Sequence, residues 1–217
     1  MSFFADWGTW FPTLLTGLWV SVRVAALSLL LGLPAGLLLA LGSSSKRRVV
    51  RWAVIGLVEL GRGMPALVML QIVYFGLPSA GLTLSAFLSS GIAFALTTAA
   101  YTSEILRGGL QAVPAGEVEA AEALGMARRD TLRFIVIPQG VRIAIPPLMG
   151  FAILIFQVTS LAYTIALPEL TSQAYSIGSS SFRYTSVFVL AALLYLAVTV
   201  PTSFLTERVE KRLSRHL

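Results

Sequence analysis

The chain has 217 residues, of which 56% are hydrophobic and only 12% are charged. Soluble domains carry about 25% charged residues, so this composition excludes an ordinary water-soluble domain and is typical of an integral membrane protein. The net charge is +6, but the basic residues lie in short clusters between long apolar runs, which argues against a nucleic-acid-binding protein. Cysteine is absent and His216 is the single histidine, so the sequence offers neither a disulfide framework nor a multi-histidine metal site.

Five apolar segments approach the roughly 20 residues that a helix needs to cross a membrane. The predicted spans are about 13–41, 52–77, 82–106, 146–167 and 184–206. The second and third come from one uncharged stretch, which we expect to break at the glycines and proline of 76–81. The fourth is expected to open at Pro146 and Pro147, because proline suits a first helical turn. The sequence thus predicts an all-α membrane protein with one transmembrane domain, 1–217.

The distribution of lysine and arginine predicts the orientation of these spans. With the N-terminus outside, the cytosolic segments are 42–51, 107–142 and 207–217, and they contain 13 of the 16 basic residues. The outer segments would then hold only Arg183, so the positive-inside rule favours an N-out, C-in topology. We detect no internal repeat, and an odd number of spans suggests that the chain supplies half of a translocation path and dimerises to complete it.

The cytosolic loop at about 108–142 has the pattern of a helix, a turn and a second helix. Pro114 is placed at a helix N-terminus, and three glutamates follow it, where the helix dipole favours acidic residues. Gly125 is expected to end or bend this helix, and the second helix would begin at Arg128 and stop at Pro138. Small side chains would let another backbone approach closely. The alternative is an ordinary solvated loop.

Six residues of this loop have a characteristic spacing: Glu119, Ala120, Ala121, Gly125, Ile135 and Pro138. The spacing resembles the EAA motif of binding-protein-dependent ABC transporter permeases, with Ile137 in a place where that motif usually has leucine. The resemblance implies that the first helix of the loop is a coupling helix, which sits in a cleft of the ATPase subunit.

Four further segments are similar to motifs of permeases from the polar amino acid uptake family. Residues 59–65 resemble their E-x-x-R-G-x-P pattern, and residues 100–108 resemble A-Y-x-x-E-x-x-R-G. Residues 146–148 and 159–161 fit their fourth span. The five-span topology predicted from hydropathy agrees with this family independently.

Two pairs of opposite charges lie near the cytosolic ends of the second and third spans. Glu59 and Arg62 are three residues apart, as are Glu104 and Arg107, so each pair can share a helix face. They could form a cytosolic gate network that transmits movement of the coupling helix, or they could be purely structural ion pairs. Arg23 could snorkel outward, line the pathway or meet a partner helix.

The fourth span departs from the family in its polar residues. Where those permeases commonly have Lys-Asp before the Thr-Ser-Leu segment and asparagine after Pro-Pro-Leu, this chain has Gln157, Val158 and Gly150. The candidates for lining the solute path are Gln157, Thr159 and Ser160, unless they only bond neighbouring helices. We therefore expect either a net-neutral zwitterion as solute or a second, non-identical permease that carries the charged residues.

The sequence contains no phosphate-binding loop, no catalytic residues and no cluster of metal ligands. The chain is therefore expected not to be an enzyme and to bind no cofactor. The resemblance implies separate ABC ATPase subunits that use ATP and Mg²⁺, a second permease copy or a paralogue, and an extracytoplasmic solute-binding protein. It also implies an amino-acid-like solute. The chain would be a multi-pass protein of the bacterial cytoplasmic (inner) membrane, in contact with membrane lipid, and would not bind nucleic acid. The alternative is a subunit of an ATP-independent secondary transporter or a structural membrane scaffold.

Overall fold

The computed structural model describes residues 3–213, so His216 and Arg215 lie outside the described residues. Helices and turns account for the secondary structure of this range, without a strand. The helices are α1 (Trp7–Ser43), α2 (Arg48–Gly63), α3 (Ala66–Gln71), α4 (Ala86–Gln111), α5 (Ala115–Ala123), α6 (Arg128–Thr131), α7 (Ile137–Val158), α8 (Leu170–Ser181) and α9 (Tyr184–Leu213). The all-helical fold class predicted from the sequence is confirmed.

Helices α1 and α4 form the most extensive helix pair, and small residues bring their backbones together. A Cβ atom added to Gly32 would lie only 2.5 Å from the Cβ of Thr98, so a larger residue than glycine would push the helices apart. The Thr98 hydroxyl donates to the Phe94 carbonyl of its own helix at 2.7 Å. Close packing of small residues, with hydroxyls satisfied inside the helix, is typical of helix pairs in membranes.

Three apolar clusters hold the remaining helices around α1. One joins α1 to α3, α4 and the segment after α7, and it contains the fully buried Phe94. A second joins α1 to α8 and α9 through Leu14, Leu170 and Val187. The third joins α1 to α7 around Ile155. Helix α8, which packs in the second cluster, was not predicted from the sequence.

The predicted second span, 52–77, is not a single straight helix. The segments Arg48–Gly63 and Ala66–Ala80 meet at an angle of 104°. Pro65 lacks an N–H and biases the preceding residue towards an extended backbone, and Met64 has ψ 128°. The expected break between the second and third spans is present, because a 3₁₀ turn at Leu77–Ala80 ends at Gly81, whose φ is +82°.

The prediction that Pro138 stops a helix, and that the next span opens at Pro146, is wrong. The helix continues from Arg128 to Ile165, with Pro146 and Pro147 inside it. A π-helical turn at Leu132–Val136 lies directly before Ile137 and Pro138. Such a wide turn loosens the backbone at the residue four positions before the proline, where the ring of Pro138 would otherwise clash with a carbonyl group.

Three helices of the described residues are long and apolar enough to cross a membrane: Trp7–Ser43, Arg128–Ile165 and Tyr184–Leu213. The bent pair of α2 and α3 would be a fourth. Helix α4 has 26 residues, many of them glycine, serine or threonine, and it is not among these helices. The number of five spans and their orientation therefore stay predictions.

Candidate functional site

Four charged side chains of α2 and α4 form one connected network. Within α4, Arg107 contacts Glu104 through two hydrogen bonds, from Nε at 3.0 Å and from Nη2 at 2.5 Å. Within α2, Arg62 lies 3.5 Å from the Glu59 carboxylate. Arg62 also lies 3.5 Å from Glu104, so the two pairs join across the helices. The spacing of three residues indicated the pairs within each helix, but only the packing of α2 on α4 connects them.

An apolar cavity of about 420 Å³ borders this network where α2 gives way to α3. Its walls come from the α2–α3 bend, from α4 and from α7, and they include Arg62, Tyr101 and Phe151. The Tyr101 hydroxyl donates to the Arg62 carbonyl at 3.2 Å, and the Tyr101 ring stacks on Phe151. Tyr101 thus connects the charged network on one side of the cavity to α7 on the other.

Helix α5 carries half of the loop motif, Glu119, Ala120 and Ala121, and ends in a defined turn. Gly125 adopts φ +76°, a left-handed conformation that favours glycine. The Gly125 N–H donates to the Glu122 carbonyl and the Met126 N–H donates to the Ala121 carbonyl, both at 3.0 Å. These two bonds form a Schellman motif, which stops the helix and turns the chain towards α6.

The side chains of the loop motif divide into an exposed set and a packed set. Glu119 and Ala120 are exposed on α5, whereas Ala121 is 2% exposed and packs inside the chain. Ile135, in the π-helical turn, is half-buried, and Pro138 is exposed at the start of α7. The buried Ala121 must be small for the packing of the chain itself.

One contact fixes α5 to α7, and a second holds α7 against α4 beside the loop. The Gln139 side chain donates a short hydrogen bond to the Glu117 carboxylate, which ties α5 to α7. A Cβ atom added to Gly109 would lie 2.5 Å from the Gly140 carbonyl oxygen, so α4 and α7 cross closely beside the loop.

The three candidates for the solute path do not lie together on one cavity wall. Gln157 is exposed, and Ser160 is half-buried. Thr159 is fully buried, and its hydroxyl donates to the Phe156 carbonyl at 2.6 Å. From this segment it is Val158 that lines the 420 Å³ cavity.

Sequence reasoning missed a buried acid, Glu169, between α7 and α8. Its side chain is fully buried and accepts hydrogen bonds from the Ser172 and Thr171 N–H groups at 2.7 and 2.9 Å. The hydroxyl groups of Ser21 in α1 and Tyr195 in α9 donate to the same carboxylate at 3.3 Å. Burial raises the pKa of Glu169 to about 7, although these hydrogen bonds act to lower it. A single acidic residue after a proline is weak sequence evidence for a buried helix cap, because glutamate is not a preferred N-cap residue.

Within residues 3–213, no group of three or more histidine, aspartate or glutamate side chains is placed to hold a metal ion.

The sequence and the helical fold of the chain are similar to those of known transport proteins. Residues 32–215 match the family described as "Binding-protein-dependent transport system inner membrane component". The chain belongs to this family. It is 35% identical over 207 residues to the probable amino-acid ABC transporter permease protein YckA of Bacillus subtilis, covering 95% of this chain and 92% of the relative. It is 34% identical over 210 residues to the L-cystine transport system permease protein TcyB of Bacillus subtilis, covering 96% and 90%.

A solved structure supports the same relationship at the level of the fold. The permease superimposes on a chain of an amino acid ABC transporter crystallised with histidines, with a TM-score of 0.93 and 31% identity. The match covers 96% of this chain and 98% of the other. The interpretation as an ABC transporter permease, rather than an enzyme, is confirmed, and ATP hydrolysis belongs to a separate subunit. The alternatives of an ATP-independent transporter or a scaffold are not supported.

Proposed function

We propose that this permease is the transmembrane subunit of an importer that moves a polar amino acid or a related small zwitterion across the bacterial cytoplasmic membrane. The relatives are named for amino-acid and L-cystine transport, and they match this chain almost from end to end. The solute would be delivered by an extracytoplasmic binding protein. The chain would cross the membrane five times with its N-terminus outside, as the distribution of basic residues indicates.

The observation that carries the proposal is the position of α5. This helix is exposed on the side of Glu119 and Ala120, and it lies beside the crossing of α4 and α7. It would serve as the coupling helix, with its exposed side in a cleft of the ATPase and with Ala121 anchoring it to the permease. Gly125 would set its length, and Ile135 and Pro138 would join it to α7.

Movement of α5 would reach the solute path through the charged network. ATP and Mg²⁺ would be bound by the ATPase subunits, whose closure would shift α5 together with the ends of α4 and α7. Helix α4 carries Glu104 and Arg107, so its movement would strain or release the contact with Arg62 in α2. Because Arg62 borders the 420 Å³ cavity, the network is suited to act as a gate at the cavity mouth.

A second permease, either another copy or a paralogue, would complete the path. Gln157 is exposed within one chain, which fits a side chain that meets a partner subunit or the solute between two subunits. Thr159 and Ser160 would flank it. Because none of the three is ionisable, this span would offer hydrogen bonds and no charge, which favours a net-neutral zwitterion or a paralogue that carries the charge.

The test replaces Ala120 by tryptophan. Ala120 is exposed, so Ala120→Trp leaves the packing of the chain intact and blocks only close approach by another protein. We expect uptake in membrane vesicles, normalised to permease level, to fall at least about tenfold, with loss of the co-purifying ATPase. Ala26→Trp makes the same change on an exposed face of α1 and should leave both unchanged. Full uptake by Ala120→Trp would refute the docking role of α5.

A further inference from the structure

Four cations lie in a row where α1 ends and α2 begins. They are Lys46, Arg47, Arg48 and Arg51. The first three are exposed, and within residues 3–213 none of the four forms an ion pair. Val49 and Trp52, between and beside them, are 83% and 66% exposed. An exposed tryptophan beside unpaired cations is typical of a helix at a membrane interface.

An apolar groove of about 470 Å³ runs between α1, α2 and α4. Within the described part of the chain, no polar side chain lines it. Leu38 of α1 and Leu57 and Leu60 of α2 form much of its wall, and they are 68%, 60% and 66% exposed. These side chains leave the groove open along the surface of the helices.

The cations and the groove are arranged along the same helix. Leu57 follows Arg51 by six residues and Met64 follows it by thirteen, which at the rise of an α-helix places the groove from about 9 to about 20 Å beyond the cations. Half of a bilayer has about 15 Å of hydrocarbon beneath its headgroups. The separation of charge and apolar surface therefore matches that of headgroup and acyl chain within one leaflet.

We propose that the α1–α2 turn and this groove form a binding site for one anionic phospholipid. The phosphate and the negative headgroup would lie among Arg47, Arg48 and Arg51, and an acyl chain would fill the groove. An acidic protein surface would complement the cations but would leave the groove empty, whereas a zwitterionic lipid would fill the groove but gain less from the cations. Only an anionic phospholipid complements both.

Occupation of this site would further steady α2, which packs on α1 through Val54 and Gly42. Helix α2 is joined to α3 by a sharp bend, and Gly61 packs closely against Ala100 of α4 near that end. A lipid bound at the other end would fix α2 along its length and, with it, the position of Arg62. The site thus adds a lipid contact to the same helix that carries half of the charged network.

Quenching of Trp52 by brominated lipids tests the proposal. The full-length permease is purified in detergent and titrated with chain-brominated phosphatidylglycerol or phosphatidylcholine, and the Trp52 signal is the difference between wild type and Trp52→Phe. We expect saturable quenching with half-saturation at least about tenfold lower for phosphatidylglycerol, because each nearby cation contributes roughly fivefold to binding of an anionic lipid. Equal quenching by both lipids would overturn the proposal.

Two variants separate the site from general charge attraction. R47Q/R48Q/R51Q should abolish the preference for phosphatidylglycerol, whereas R208Q/K211Q/R212Q removes three exposed cations from the end of α9 and should retain it. If both variants lost the preference for phosphatidylglycerol equally, a specific site would be refuted. Ala35→Phe fills the groove and should reduce quenching by both lipids. Unchanged quenching, in a variant that elutes as wild type on gel filtration, would refute the acyl-chain position.

Discussion

At the scale of single residues, Glu169 is the side chain whose surroundings differ most from those of an exposed acid. Its carboxylate joins α1, α8 and α9 through four hydrogen bonds, and within residues 3–213 it forms no ion pair. A carboxyl group so placed is easier to bury when it is protonated, because burial penalises the charged form. The group therefore links the stability of this helix junction to pH.

We predict that the permease becomes less stable as the pH rises from about 4.5 to above 7. The pKa of Glu169 is about 7 in the folded chain against 4.5 ordinarily, so the stabilising contribution is fully present below pH 4.5 and is lost as the pH rises through 7. The loss should be about 3 kcal/mol. Thermal unfolding in detergent across this range measures it, and Glu169→Gln should remove most of this pH dependence. An unchanged pH profile in that variant would contradict the assignment.

A second prediction at this scale compares two glycines of the loop. Gly125→Ala should destabilise the end of α5 by about 1–2 kcal/mol, because a left-handed φ is unfavourable for alanine. Gly116→Ala, in the first turn of α5 and with open space around it, should stabilise the helix slightly. Hydrogen exchange of the α5 amides should thus become faster in the first variant and slower in the second. Slower exchange in both would show that the turn does not depend on glycine.

At the scale of helices, close contact between α1 and α4 organises the fold. Glycine and threonine occupy this contact instead of large apolar side chains. Lipid tails are as apolar as leucine, so burying leucine between two helices gains little in a membrane. Helices associate there mainly through close packing, which small residues allow. The bend between α2 and α3 depends in turn on Pro65, which ends the preceding helix locally.

We expect Gly32→Ala to destabilise the permease by about 1–3 kcal/mol, because its new methyl group would overlap the Thr98 side chain. Gly8→Ala is a matched change in the same helix, with no atom within 4 Å of the new methyl group. Thermal melts should therefore show a lower unfolding temperature for Gly32→Ala and an unchanged unfolding temperature for Gly8→Ala. Equal melting temperatures would show that α1 and α4 can move apart to accommodate the methyl group without loss of stability.

At the scale of the whole molecule, the order of the helices relates α5 and α8 to the two sides of the membrane. Helix α8 lies between the long helix that ends at Ile165 and α9. If both long helices cross the membrane, α8 lies on the side opposite α5, which is the outer side in the predicted topology.

Reporter fusions test this arrangement. Fusions after Leu82 and Ser176 should report an outside location, and fusions after Ser44 and Ala127 an inside location, because the basic residues lie beside the second pair. An inside signal at Ser176 would contradict the five-span topology.

The class of the protein and the place of the loop that we propose to dock the ATPase could be predicted from the sequence. A low charge content and long apolar runs are sufficient to predict membrane helices, and the loop motif depends on residues that are close together in the chain. The pairs Glu59–Arg62 and Glu104–Arg107 were equally predictable, since a spacing of three residues defines a helix face.

Which of these local features meet depends on the tertiary structure. The contact of Arg62 with Glu104, the burial of Ala121 and Glu169, and the cavity beside Tyr101 depend on how separate helices pack. The prolines at 138, 146 and 147 also remain inside a helix that local rules would have ended there. Sequence patterns describe preferences within one or two turns, whereas these contacts depend on the shapes of faces that are far apart in the chain.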